Sequence, residues 1–71
     1  MKDSLYEMIV YWDKTDSIFV VEVPELPGCI AHGKSKTGAL RNAESAIKLW
    51  LRTAKEDGIT APEPRGRLMY A

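Results

Sequence analysis

Cysteine and histidine each occur once in this chain of 71 residues, and that scarcity removes two ways of stiffening a small fold. A lone thiol, Cys29, has no internal disulfide partner, whereas small secreted scaffolds depend on several bridges. One His beside one Cys falls short of the four ligands of a structural zinc site, so neither a metal nor another cofactor is expected. An excess of charge is missing too, since ten Lys plus Arg balance ten Asp plus Glu. A nucleic-acid binder that draws its affinity from phosphate neutralisation carries a basic excess, so direct DNA binding or RNA binding is not the expected main activity. No apolar run approaches the ~20 residues of a membrane span, and the opening Met1-Lys2-Asp3-Ser4 lacks the apolar core of a signal peptide. The expectation is a cytoplasmic chain without membrane association, folding as one domain over residues 1–71. A chain this short buries only about 60% of the surface its unfolded form exposes, which points to a small core or an oligomeric partner.

What is present is strong local patterning. From Leu5 to Trp12 the even positions Tyr6, Met8, Val10 and Trp12 form one apolar set at strand spacing. The polar stretch Asp13 to Ser17 predicts a hairpin loop, with Asp side chains able to accept from local backbone N–H groups. A second strand follows over Ile18 to Val23, its odd positions Phe19, Val21 and Val23 apolar. Pro24 and Pro27 remove ladder donors and Gly28 supplies a positive φ, so Pro24 to Gly28 reads as a tight turn. Cys29 to Gly33 is long enough for a third strand, with Gly33 releasing the chain.

Ser35 is a good N-cap, and Leu40, Ala43, Ile47, Trp50 and Ala54 then recur at intervals of three and four, widened by Ala39, Ala46 and Leu51. This predicts a helix from about Lys36 to Asp57, ~33 Å long, laying one face on the sheet, with Gly58 as the residue that ends it. Gly38 stands where a capping box needs Glu or Gln, which leaves the first turn open to fraying. Residues 59–64 read as extended, and Arg67 to Ala71 as a further edge strand. The fold class is therefore α+β: a three-stranded antiparallel sheet, one long helix packed on it, then an extended tail or further strand.

Candidate chemistry is sparse. The acids Asp13, Asp16, Glu22 and Glu25 with His32 are the groups available for acid–base work, and none has a local signature. Cys29 and His32, three apart on a strand, point to opposite faces, so a packed thiol and a half-exposed histidine are favoured over a nucleophile and its base. Asp13 and Asp16 fit a solvated hairpin loop better than a divalent-metal site. The glycines show neither a dinucleotide nor a P-loop spacing. Trp12, Phe19 and Trp50 fall on core-like faces rather than on a base-stacking surface. Tyr11, on the opposite strand face beside Ile9, fits an anchor for a protein partner.

The succession Val21-Glu22-Val23-Pro24-Glu25-Leu26-Pro27-Gly28-Cys29, then Ala31-His32-Gly33-Lys34-Ser35, then Ala39 through Trp50 and the trailing Pro62-Glu63-Pro64, resembles the HicB-like antitoxin family. The likeness covers about residues 6 to 64. It implies a partly degraded RNase H-like fold, β-β-β-α-β, that has lost ribonuclease activity, and a role in binding and neutralising HicA, a small toxin that degrades mRNA. Many HicB proteins add a C-terminal DNA-binding domain that represses their operon, and no such domain is expected within these residues. Gly38 departs from the acidic residue usual in the family.

Charge distribution gives the resemblance a physical counterpart. Residues 1–31 hold six acids and two bases, a balance of −4, and residues 32–71 hold four acids and eight bases, a balance of +4. An acidic sheet and loop surface complements a basic RNA-binding toxin, which raises association rate and specificity. The residues expected to meet a HicA-like toxin are Tyr11, Asp13, Asp16, Glu22 and Glu25. Pro24, Pro27, Gly28, Gly33, Ser35 and Gly58 are assigned to backbone geometry. The same asymmetry also fits self-association into a homo-oligomer, a dimer or tetramer. The rival readings are an orphan homo-oligomer without a toxin and a metal-dependent RNase H-like nuclease using Asp13 and Asp16.

Overall fold

Alternating apolar residues with β-branched and aromatic character produce three short strands, and a 3.6-residue apolar stripe produces one helix. In the computed structural model, which describes residues 5–67, these are β1 (Ile9–Asp13), β2 (Ile18–Glu22), β3 (Ile30–Gly33) and α1 (Lys36–Glu56). The strands form an antiparallel meander in the order β1-β2-β3, with Tyr11 opposite Val20 and Val20 opposite His32. The α+β arrangement expected from the sequence is the one observed. The further strand expected over Arg67 to Ala71 lies, apart from Arg67, outside the described residues, and Arg67 itself is in a bend.

β1 starts at Ile9 rather than Leu5, and a missing donor explains it. The Val23 N–H donates to the Cys29 carbonyl at 3.1 Å, so Val23 turns its backbone toward β3. Alternation then turns Glu22, Val20 and Ile18 toward β1. With Ile9 opposite Glu22, the next hydrogen-bonded rung would join Glu7 to Pro24, which has no N–H to give. Freed from the ladder, Tyr6 is buried with Val23, Leu26, Cys29 and Ile47, and its hydroxyl donates to the carbonyl of Pro62.

The turn after β2 is a closed bracket. Leu26 N–H donates to Val23 O, Cys29 N–H donates to Leu26 O, and Gly28 takes φ +77°. These bonds aim Leu26 into the core, where it is among the largest fully buried side chains. Trp50 reaches across from α1, its Nε1–H donating to the Pro27 carbonyl at 2.9 Å.

The helix is closed at both ends. Ser35 Oγ accepts from Gly38 N–H at 3.0 Å, so the first turn is capped without the reciprocal half of a capping box. At the other end Gly58 (φ +71°) donates to Lys55 O and Ile59 donates to Ala54 O, the paired bonds of a Schellman motif. Its buried stripe is Ala39, Ala43, Ile47 and Ala54, whereas Leu40, expected on the stripe, is exposed. The stripe begins on Ala39 because β3 comes so close there that only small residues fit. A Cβ on Gly33 would stand 2.6 Å from the Ala39 nitrogen and 2.9 Å from its Cα.

This approach places α1 over β3 and β2, with little reach over β1. Trp12 shows the consequence. It occupies the helix-side parity of β1, yet it is 50% exposed and meets Phe19 edge-on with ring centroids 4.9 Å apart. The expectation that Trp12 is a core residue is thereby corrected, and Phe19 and Trp50 are only partly buried.

Two stability predictions follow from this geometry. Gly33→Ala forces the helix off β3, and thermal unfolding should show a loss of about 1–3 kcal/mol, the range for overpacking. Ser35→Ala, which removes the cap and disturbs nothing else, should cost about 1 kcal/mol in the same assay.

Candidate protein-docking surface

Because the helix covers one face of the sheet, the other face is left bare by the described residues. Register places Ile9, Glu22 and Ile30 in one row across it and Tyr11, Val20 and His32 in the next. Val20 is buried between its neighbours, while Tyr11 is 41% and Ile30 56% exposed. Isolated exposed apolar residues are ordinary, but a contiguous patch rimmed by charge marks a surface for a partner.

The acids sit at defined places on or beside this face. Tyr11 hydroxyl donates to Glu22 Oε2 at 2.8 Å, a diagonal cross-strand bond that holds the carboxylate over the sheet. The bond to Glu22, followed by desolvation and the charges of Glu22 and Asp13, keeps the Tyr11 phenol protonated above its ordinary value of 10.0. Asp13 Oδ1 accepts from Thr15 N–H at 2.9 Å and Asp16 N–H at 3.2 Å, so it builds the hairpin loop while Asp16 stays exposed at the tip. Ser17 completes the loop at φ +54°, a left-handed position that nothing in its sequence announces.

Four of the residues expected to meet a partner, Tyr11, Asp13, Asp16 and Glu22, thus share the β1–β2 hairpin. Glu25 does not join them. It lies in the turn at the far end of β2, half-buried, where its Oε2 accepts from the Arg65 N–H at 3.1 Å and ties the C-terminal segment to the turn. Two other side chains have roles that the local pattern does not disclose: Tyr6, apolar in spacing but holding the same segment through Pro62, and Leu26, whose burial follows only once the turn is closed.

Catalytic geometry is not assembled around His32 or Cys29. His32 is exposed on the bare face, whereas Cys29 is buried in the core, and burial pushes its thiol pKa up. Such a thiol is a packing group rather than a nucleophile. Among the described residues no three His, Cys, Asp or Glu side chains converge as a metal site requires. No helix among those residues is long and apolar enough to cross a membrane.

Fold and surface together define a small α+β domain that presents a bare sheet face edged with carboxylates. The chain belongs to the HicB-like antitoxin family of bacterial toxin–antitoxin systems, whose family model matches residues 6–68. It is 39% identical over 57 residues to a UPF0150 protein of Thermoplasma acidophilum, an overlap covering 80% of this chain and 81% of that one. A UPF0150 protein of Archaeoglobus fulgidus is 40% identical over 52 residues, 70% of this chain and 75% of its own. One from Helicobacter pylori is 40% identical over 45 residues, covering 63% and 62% respectively. No solved structure matches the chain.

The Tyr11–Glu22 pair gives a direct spectroscopic prediction. A carboxylate that accepts from the neutral phenol opposes phenolate, so the bond holds at neutral pH and is lost on the alkaline side as pH climbs through the raised value. In an NMR titration of labelled tyrosine, Tyr11 should ionise above 10.0, and Glu22→Gln should move it back down.

Proposed function

We propose that this domain neutralises a HicA-like, mRNA-degrading toxin in the cytoplasm by stoichiometric binding that covers the toxin's RNA-contacting face. The observation that carries the reading is the β1–β2 surface of a chain in the HicB-like family: an apolar centre around Tyr11 and Ile9, with Glu22, Asp13 and Asp16 around it. A toxin that grips RNA must present bases to phosphates, and fixed carboxylates on a shaped surface are a competitor for those bases. The Tyr11 ring supplies the contact area, and its bond to Glu22 fixes the orientation before the partner arrives, which lowers the ordering cost of association.

In this reading the sheet and helix are a partial RNase H-like frame that serves binding rather than cleavage. Asp13 accepts two backbone N–H bonds in its own loop, which suits a turn-former better than a metal ligand. Glu25 is assigned to tethering the C-terminal segment, and its contribution to the partner is indirect.

Co-expression of this chain with the toxin from its neighbouring reading frame should restore growth. Tyr11→Ala and the double reversal Asp16→Lys with Glu22→Lys should each weaken the complex, by roughly 2 kcal/mol or more for a central anchor, in a titration of purified partners. Asp16→Lys alone, at the exposed tip, should act mainly on the association rate and fade at high salt. A well-folded chain that leaves a genuine neighbouring toxin active defeats the proposal. Cleavage of RNA by the purified chain in Mg²⁺ or Mn²⁺, abolished by Asp13→Asn, would replace it with the nuclease reading.

A further inference from the structure

The side of α1 turned away from the sheet carries a surface that the hairpin does not use. On a helix of 3.6 residues per turn, Arg41, Lys48, Arg52 and Lys55 fall within about 60° of one another, on the side away from the buried Ala39, Ala43, Ile47 and Ala54. At 1.5 Å per residue they form one ridge about 21 Å long. All four are exposed, and none is drawn into an ion pair among the described residues. Lys48 and Arg52, four apart, repel each other, which weakens the helix rather than supporting it. Lys36 stands apart from the ridge, its Nζ 5.8 Å from the centre of the Phe19 ring. Two exposed acids border the ridge on opposite flanks, Glu44 and Glu56.

The balance of ten bases against ten acids removes a field over the whole molecule but not a local one. The acids of the hairpin lie across both the helix and the sheet from the ridge. A helix alone is about 10–12 Å wide, and exposed charges are screened beyond about 8 Å at physiological salt, so those acids do not cancel it.

We infer that the basic ridge of α1 is a docking surface for duplex DNA, gripped through its phosphates without choice of sequence. Charge complementarity carries the argument. A row of like charges with no counter-charge in the fold gains most from a polyanion, because each base that meets a phosphate releases a condensed counterion. The composition of the ridge selects a duplex. Single strands are held by stacking on aromatic rings, and Trp50, the one aromatic residue of the helix, is turned to the Pro27 carbonyl instead. A convex helix fits the B-form major groove, about 12 Å wide, whereas A-form RNA closes that groove to side chains. From within the groove, long Lys and Arg side chains reach phosphates on either wall. Asn42, the one amide side chain of the helix, is committed to the His32 carbonyl at 2.8 Å, so the ridge presents charge rather than a varied set of base readers.

The test titrates the isolated full chain into a short labelled DNA duplex of arbitrary sequence and follows fluorescence anisotropy. No toxin enters the measurement, so its result is independent of the hairpin reading. Four phosphate contacts per bound chain predict a slope of about −3.6 for log association constant against log salt, an affinity loss of roughly 150-fold between 50 and 200 mM. Lys48→Gln combined with Arg52→Gln should halve that slope, and Glu44→Gln should tighten binding. Lys14→Gln, which removes one charge from the hairpin instead, should leave binding unchanged, with the circular dichroism of every variant matching the parent. Absence of binding at about 50 mM salt, a slope untouched by the double variant, or an equal loss with Lys14→Gln overturns the proposal. Duplex RNA or polyglutamate bound as tightly as the DNA overturns it too, since the ridge would then serve a different partner.

Discussion

The contact between Gly33 and Ala39 fixes where the single helix lies, and most of the molecule depends on that position. With no room for a Cβ between them, the backbone of α1 comes down onto the end of β3, and the alanines of the stripe, Ala39 and Ala43, pack against Val21 and Ala31. A three-stranded sheet covered by one helix has a choice of which strands to shelter. Here the small residues draw the helix to the β3 side, so β1 gives up cover at Trp12, and the helix ends up close enough to the sheet edge to wall a groove there. Larger residues at these positions would lift the helix and spread its cover more evenly, at the expense of the groove.

At the other end the helix is registered by the Pro24–Gly28 turn. Pro24 stops the β1–β2 ladder by lacking a donor, the bracket of backbone bonds from Val23 to Cys29 points Leu26 inward, and Trp50 seals the turn from above. The chain that follows α1 then returns to the same region, held by Tyr6 through Pro62 and by Glu25 through Arg65. A domain of this size has little apolar area to spare. Closing the backbone polar groups of one turn, and letting a single Leu enter behind them, concentrates the core where helix, turn and tail converge.

The residues differ in how much of this they disclose. Strand alternation, the loop-forming acids, the Ser35 cap and the Gly58 stop are local properties, and each element they mark exists close to where the pattern puts it. Parity along a strand says which way Trp12 points but not how far a helix on that side extends, so its exposure was illegible. The start of β1 depended on Pro24, which stands opposite Glu7 in the pairing but far from it in sequence. Of the candidate surface, Tyr11 and Ile9 were readable because they share the parity opposite Met8 and Val10. The bond between Tyr11 and Glu22 needed the register of β1 on β2, and the tether made by Glu25 needed the path of the tail.

The neutral total of charge takes on meaning once the elements are in place. Acids dominate the hairpin that carries Tyr11, and bases dominate the helix along its whole length, from Lys36 and Arg41 to Lys48, Arg52 and Lys55. The hairpin carries Asp16 and Glu22 exposed beside the apolar Tyr11 and Ile9, with Lys14 as its one base. The fold thus sets the two signs apart, acids on the hairpin and bases on a helix packed against the other face of the sheet.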